Sequence, residues 1–519
     1  MGKLSIKNWI QQQREACAGN KRLRVCRTGQ AVSLALGILL MIAGLVTVAL
    51  LPKGQVGYNI LLFGGFGVFL FCLFFCFEDL RERFLLLTFD FVVFVFLICR
   101  PILNCFMLRN WSRHFDPDAA CFAVLCVSVS LLTLTAGARL AEKKLFRQKE
   151  EIARTPVMLK APKKQVLEDF RLAALLLYGF TMVFFLIGEM DKLTFMIGRE
   201  YNDYYTLYQA DYPAVISTLA AMMPYALCAY LATMPRKRES FIALMLYVLS
   251  AVPQFLFGVR NPIVLHALLA LLYYCIRDHL EDGEIWMGKL EKRATLIVLP
   301  VGAVGLSVLN YIRDGEEIKL SGFFSAVTDL FYKQGVSFNT LAWGYMELDD
   351  LPGGDRNFTF GPFIDYFTQS RIGQMLFGTT EFPAGNCVER ATYSHNLGHA
   401  LSYVALDDYL EGHGMGSSYI LEAYADFGWI GILVISLLLG ILLIAFVRGF
   451  RKGWFARTVI LVCLTELFFI PRAEATGWLL YLVQPHFWCI VAGCFIGGWI
   501  LGKLRFRERA AALFGRKKQ

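Results

Sequence analysis

Three of the chain's seven histidines, His395, His399 and His413, lie within one stretch that is not membrane-like. His395 and His399 stand four residues apart in SHNLGH, one helical turn, and either could act as a general base for a hydroxyl near neutral pH. A metal pair at that spacing is the rival reading, but no Glu follows the first His as a zinc protease requires. A hydrogen-bonded structural role is the commonest fate of such residues. Four arginines carry a second chemistry: Arg260 in FGVRNP, Arg313 just after an apolar span, Arg371 in QSRIGQ, and Arg472 after Pro471 with Glu474 two residues on. An Arg at membrane depth is costly and is usually functional or paired, although one near a span end can snorkel to the interface. Several two-pronged cations facing one cavity would suit a diphosphate. Glu466, one turn before Arg472 in an otherwise apolar run, offers Arg472 a purely structural partner.

A third candidate is the turn GHGMG at 412–416, followed by Ser417 and Ser418. Glycines let a backbone approach a ligand closely, either serine can cap the next helix, and free N–H groups at a helix start can cradle a diphosphate. Ser418, Glu422 and Asp426 recur at i, i+4 and i+8 and share one helix face. A plain Gly-rich turn followed by a solvated face fits the same spacing. Asp90 and Arg100 are charges inside an apolar run and are weaker candidates.

The elements that must position these residues are membrane spans. The chain is 56% hydrophobic with mean hydropathy +0.51, too apolar for a soluble globular protein. About twelve apolar runs reach or approach the ~20 residues needed to cross a bilayer. They are Ala31–Pro52, Tyr58–Phe77, Phe84–Met107, Ala119–Ala141, Phe170–Met190, Pro213–Thr233, Phe241–Val259, Pro262–Ile276, Thr295–Tyr311, Gly428–Val447, Thr458–Ile470 and Leu479–Leu501. The eighth and eleventh are the shortest. The expected organisation is an all-α polytopic membrane protein: a basic arm over 1–30, nine spans over 31–311, one large extracytoplasmic loop over 312–427 with a partly helical cap, three spans over 428–502, and a basic tail over 503–519.

An even count puts both termini on one face, and the basic arm and tail assign that face to the cytoplasm. The connections Glu78–Arg83, Glu142–Glu168, Met234–Ser240, Arg277–Arg293 and Arg448–Arg457 then lie inside, all carrying Lys or Arg, and Arg313–Ser417 lies outside as a lid. The first apolar run is long and reads as a retained span rather than a signal peptide. Topology accounts for the net charge of +9 without nucleic acid. Most of the fourteen cysteines sit inside apolar runs at spacings that suggest neither zinc nor a disulfide framework. No internal repeat is visible, which weighs against a transporter built of inverted halves. The loop's many aromatic residues, among them Phe331, Tyr332, Trp343 and Tyr345, mark it as folded.

With these pieces placed, the chain resembles the Wzy-type oligosaccharide repeat-unit polymerases, which polymerise O-antigen and capsular units. The stretches that carry the resemblance are FGVRNP (257–262), KQGVSF (333–338), GMGSSYILEAYADFGWIG (414–431) and IPRAE (470–474). The related O-antigen ligases have His, then Asn, Ser or Gln, nine residues, and Gly; here Ser417 occupies the His position before Ser418 and Gly428, which favours a polymerase. The resemblance implies a multi-span glycosyltransferase of the bacterial inner membrane that uses lipid-phosphosugars. Donor and acceptor would be polyprenyl-diphosphate-linked glycans, with no nucleotide sugar, no cofactor and no metal, and with room for a regulator protein that sets chain length. It implies catalytic roles for Arg260, Arg472, His395 and Glu422, the last two or His399 supplying a base if one is used. Arg313, Gln334, Arg371, His399, Ser417, Ser418 and Glu474 would bind substrate, with Arg260 and Arg472 meeting around the donor diphosphate. A glycan ligase and a lipid-linked oligosaccharide flippase are the alternatives.

Overall fold

Twelve described helices are long and apolar enough to cross a membrane: Arg22–Leu50, Gln55–Glu78, Leu80–Phe106, Pro117–Lys143, Val166–Met196, Ala214–Leu231, Lys237–Leu256, Asn261–Leu280, Lys289–Leu309, Tyr419–Gly449, Trp454–Arg472 and Pro485–Arg505. They are numbered below as the first to twelfth spans. The computed structural model describes residues 2–52, 54–145, 161–280, 283–313, 322–354, 356–383 and 385–515, and no strand occurs among them. Parts of the basic connection after the fourth span, of the loop's entry and of the tail fall outside the described residues.

Both short runs lengthen in the structure. The eighth gains a turn of charged residues at its end, and the eleventh tightens into a 3-10 turn, Leu467–Arg472, that carries it to Arg472. The run Tyr419–Gly449 is two helices that meet at a kink just after Phe427, the expected end of the loop. There Gly428 adopts φ 60 and ψ −149, a conformation that favours glycine. The loop contains helices Phe323–Gln334, Ser337–Glu347, Gly361–Gln369, Arg371–Phe377, Val388–Tyr393 and Leu397–Ala405.

Small residues bring the spans together, as expected where lipid removes the hydrophobic drive for helix association. A Cβ on Gly44 would meet the Leu61 backbone N at 2.5 Å, and one on Gly64 the Met41 N at 2.6 Å, so the first two spans touch backbone to backbone. Gly137 and Gly440 allow the same approach between the fourth and tenth spans, against Leu437 O and Leu134 O. A buried hydroxyl cluster locks this second contact: Ser130 Oγ lies 2.6 Å from the Tyr419 hydroxyl and 2.8 Å from Ser436 Oγ. Tyr419 begins the tenth span, so the cluster fixes the helix start on which the Gly-rich turn ends. The two intramembrane charges have partners as well. Asp90 accepts from Cys76 Sγ at 3.4 Å, and the Arg100 guanidinium lies 4.5 Å over the Tyr332 ring.

Candidate functional site

A cavity of about 1360 Å³ opens where the large loop meets the span ends nearest it. Its walls come from five places in the chain: Leu193–Tyr205 at and beyond the end of the fifth span, the turn Leu256–Asn261, Leu309, the loop from Asn386 to Ser417, and Phe469–Glu474. The chemistry concentrates on Arg472, Glu474, His399 and Ser417, all lining residues.

Glu422 and Asp426 build the floor. Glu422 is fully buried; its Oε1 accepts from Ser417 Oγ at 2.6 Å and its Oε2 from the Ala475 backbone N at 2.7 Å. One turn later, Asp426 accepts from the backbone N of Phe358 at 3.0 Å and of Thr359 at 2.6 Å. Thr476 Oγ1 closes the triangle by donating to the Thr359 carbonyl at 2.6 Å. Three segments far apart in sequence, around 358, 417 and 475, are thus clamped to one helix face. A carboxylate that accepts a buried donor on each oxygen ties together the segments that supply those donors. Glu422 therefore positions Ser417 and the turn that carries Arg472 and Glu474; it does not line the cavity. Ser418 is also fully buried and caps the tenth span, its hydroxyl accepting from Ile420 N.

Arg472 and Glu474 each contact a side-chain amide. Arg472 Nη1 donates to Gln334 Oε1 at 3.1 Å, and its guanidinium lies 6.0 Å from the Phe96 ring. Glu474 Oε1 accepts from Asn396 Nδ2. Burial, followed by the negative charges of Asp365 and Glu466, raises the Glu474 carboxyl to about 7. His399 behaves oppositely: burial, followed by the Arg390 charge, lowers its imidazole to about 4, so the ring is neutral. The Tyr409 hydroxyl donates to the Cys387 carbonyl at 3.3 Å and accepts from His399 Nδ1 at 3.0 Å, which leaves Nε2 as the acceptor. Gly416, at φ +75 and 3.5 Å (from an added Cβ) from the Arg472 carbonyl, brings the Gly-rich turn against that residue.

The remaining candidates are dispersed. His395 binds Asp365 through both its Nδ1 (2.9 Å) and its backbone N, and it does not line the cavity. Arg260 is half-buried; its neighbours Gly258 and Asn261 form the wall while Arg260 itself does not. Arg313 ends the helix Lys289–Arg313 and Arg371 begins Arg371–Phe377, but both side chains lie outside the described residues.

Sequence reading passed over Asn396, which restrains Glu474 across 78 positions, and Arg356, which donates to the carbonyls of Pro352, Ala391 and Ser394. It also passed over Asn202 and the tyrosines around it, although the run YNDYYTLYQADY between two spans is a visible signal.

Residues 31–503 match the family of O-antigen polysaccharide polymerases, Wzy. The chain belongs to that family. The match covers all twelve spans but the outermost turns and takes in every candidate residue. No curated protein and no solved structure matches the chain. As a Wzy family member the chain is a multi-pass membrane protein with a glycosyl-transferring polymerase activity on lipid-linked oligosaccharide repeat units.

Proposed function

We propose that the cavity beneath the large loop is where the polymerase joins polyprenyl-diphosphate-linked repeat units, at the outer face of a bacterial cytoplasmic membrane. The observation that carries this is the convergence of Arg472, Glu474 and His399 in one cavity at the loop end of the bundle, with side-chain amides touching the first two. The acceptor hydroxyl attacks the anomeric carbon of the donor glycan, and a new C–O bond forms as the bond from that carbon to the diphosphate oxygen breaks. The electron pair leaves with the polyprenyl diphosphate, whose growing charge Arg472 neutralises with little reorganisation. The hydroxyl proton passes to the Glu474 carboxylate. A base is most effective when its pKa lies near the working pH, so Glu474 at about 7 suits the task better than His399 at about 4. His399, neutral with Nε2 as acceptor, orients a sugar hydroxyl. Ser417 and the Gly414–Gly416 backbone bind beside Arg472.

Deletion of the gene followed by gel analysis of surface glycan tests the reading. The ladder should vanish while a single-repeat band persists. Loss of all surface glycan would point to a ligase or flippase instead, and an intact ladder would sink the assignment.

Support for the orientation comes from alternation and from the Lys and Arg gathered at the end opposite the cavity, the side that the positive-inside rule assigns to the cytoplasm. In a Cys387→Ser background, an impermeant thiol reagent should label a cysteine introduced at Asn357 and spare one at Pro162. Labelling at Pro162 from outside would invert the chain.

A further inference from the structure

We infer that the cavity has a second, tyrosine-rich end that grips the saccharide part of its substrate through Tyr201, Asn202 and Tyr205; this rests on the cavity being the polymerisation site. The Gly-rich turn runs along the cavity and relates the two ends. At Gly412 an added Cβ would lie 3.1 Å from Thr206 Cγ2 and 3.5 Å from the Asn202 carbonyl, and at Gly416 it would meet the Arg472 carbonyl. Four residue steps span at most about 14 Å. The distance from the arginine end to the Asn202 end is therefore on the scale of a short oligosaccharide.

The second end has the chemistry of a sugar site. Tyr201 and Tyr205, one turn apart, both line the cavity, their rings 5.4 Å apart and inclined at 64° and their hydroxyls 2.9 Å from each other. Behind them Tyr204 packs on Tyr205 (5.0 Å), Tyr208 (5.6 Å) and Phe257 (5.2 Å), so the pair stands on a stiff aromatic base. Tyr205 nevertheless remains 39% exposed. Ring faces carry negative charge density and attract the weakly positive C–H face of a pyranose, while phenol and amide groups take its hydroxyls. Asn202 supplies the amide and is aimed by His413: its Nδ2 lies 3.3 Å from His413 Nε2, and His413 Nδ1 lies 3.3 Å from Asp408.

Tyrosines near span ends also occur as lipid-interface anchors, which face outward to the headgroups. Tyr201 and Tyr205 instead share a cavity wall with Asn202, Glu200 and His413. An anchor predicts lost stability on truncation, whereas a sugar platform predicts lost saccharide affinity.

The test uses the purified full chain in lipid nanodiscs with two probes: the host's repeat-unit oligosaccharide freed from its lipid by mild acid, and inorganic pyrophosphate. Tyr205→Ala and the Tyr201→Ala/Tyr205→Ala pair should weaken oligosaccharide binding by about tenfold or more and leave pyrophosphate binding unchanged. Tyr205→Phe, which keeps the ring, should weaken the oligosaccharide less than Tyr205→Ala does. If the alanine variants do not accumulate, Tyr205→Leu carries the same two readouts with the apolar volume retained. Oligosaccharide affinity equal to that of the unaltered chain, with or without a lower melting temperature, would overturn the subsite. An unaltered chain that restores the ladder while the tyrosine variants bind normally removes this subsite and leaves the polymerase reading standing. A ladder that survives gene deletion removes the polymerase reading itself.

Discussion

The two ends of the helix bundle hold their arginines in different company. At the end away from the cavity, charge meets charge. Arg83 contacts Glu142 at 2.6 Å and Glu78 at 3.2 Å, Arg448 contacts Glu82 at 3.0 Å, and Arg505 contacts Asp169 at 2.8 Å. At the cavity end Arg472 Nη1 donates to Gln334 and Glu474 accepts from Asn396, so a side-chain amide helps to orient each group. The ion pairs fasten span ends to one another, whereas the amides aim side chains that line a cavity.

The largest effects should come from exchanging these roles. Arg472→Ala should cost about 3 kcal/mol of transition-state stabilisation, on the order of a hundredfold in polymer formation, with normal accumulation of the protein. Arg472→Lys should do nearly as badly, because the fork that grips both Gln334 and a diphosphate is lost. Arg83→Ala should fail differently, taking from the half-buried Glu142 its guanidinium partner at a cost of about 1–3 kcal/mol in stability and showing as poor membrane accumulation. An Arg472→Ala protein that accumulates normally and makes full-length polymer would erase the distinction. Gln334→Glu should turn the cavity end into a copy of the other: thermal stability is kept while polymerisation falls by about tenfold as the new carboxylate consumes the Arg472 field.

The pH profile sharpens the same contrast. Glu474 must be ionised to accept a proton, and its pKa is raised to about 7, so the rate should rise with pH through about 7 and level off above it. Glu474→Gln should be slow and show no such rise. A profile unchanged by that substitution would remove Glu474 from proton transfer. The smallest effect is expected from Gly416→Ala, which places a side chain at φ +75 at a cost of roughly 1 kcal/mol and loosens the turn against Arg472; the melting temperature and ladder length report it.

The spans were legible because ~20 apolar residues leave a strong one-dimensional signal, and the loop was legible as its long interruption. Arg472, Glu474, His399 and Ser417 were also legible, since a charge or a flexible turn at a span end is locally anomalous. Their partners were not. Asn396 and Gln334 are ordinary loop residues until folding brings them across 78 and 138 positions to Glu474 and Arg472. Glu422 reads as a helix-face carboxylate open to solvent, and only the donors from Ser417 and Ala475 show it to be part of the frame. Tyr205 was hidden by its company, because a run of tyrosines beside a span resembles an interfacial belt.

The clamp on Glu422 also bears on when the protein becomes active during its own synthesis. Glu422 is translated 53 residues before Ala475, the donor that satisfies its second oxygen. At roughly 5–20 residues per second this interval lasts about 3–10 s, and the eleventh span must emerge within it. Until then the buried carboxylate lacks half its partners, a state that disfavours closure of the floor by about 1–3 kcal/mol. Arg472 and Glu474 arrive on that same late segment. A nascent chain with its loop already made therefore has no assembled site, and activity switches on only with the eleventh span in place.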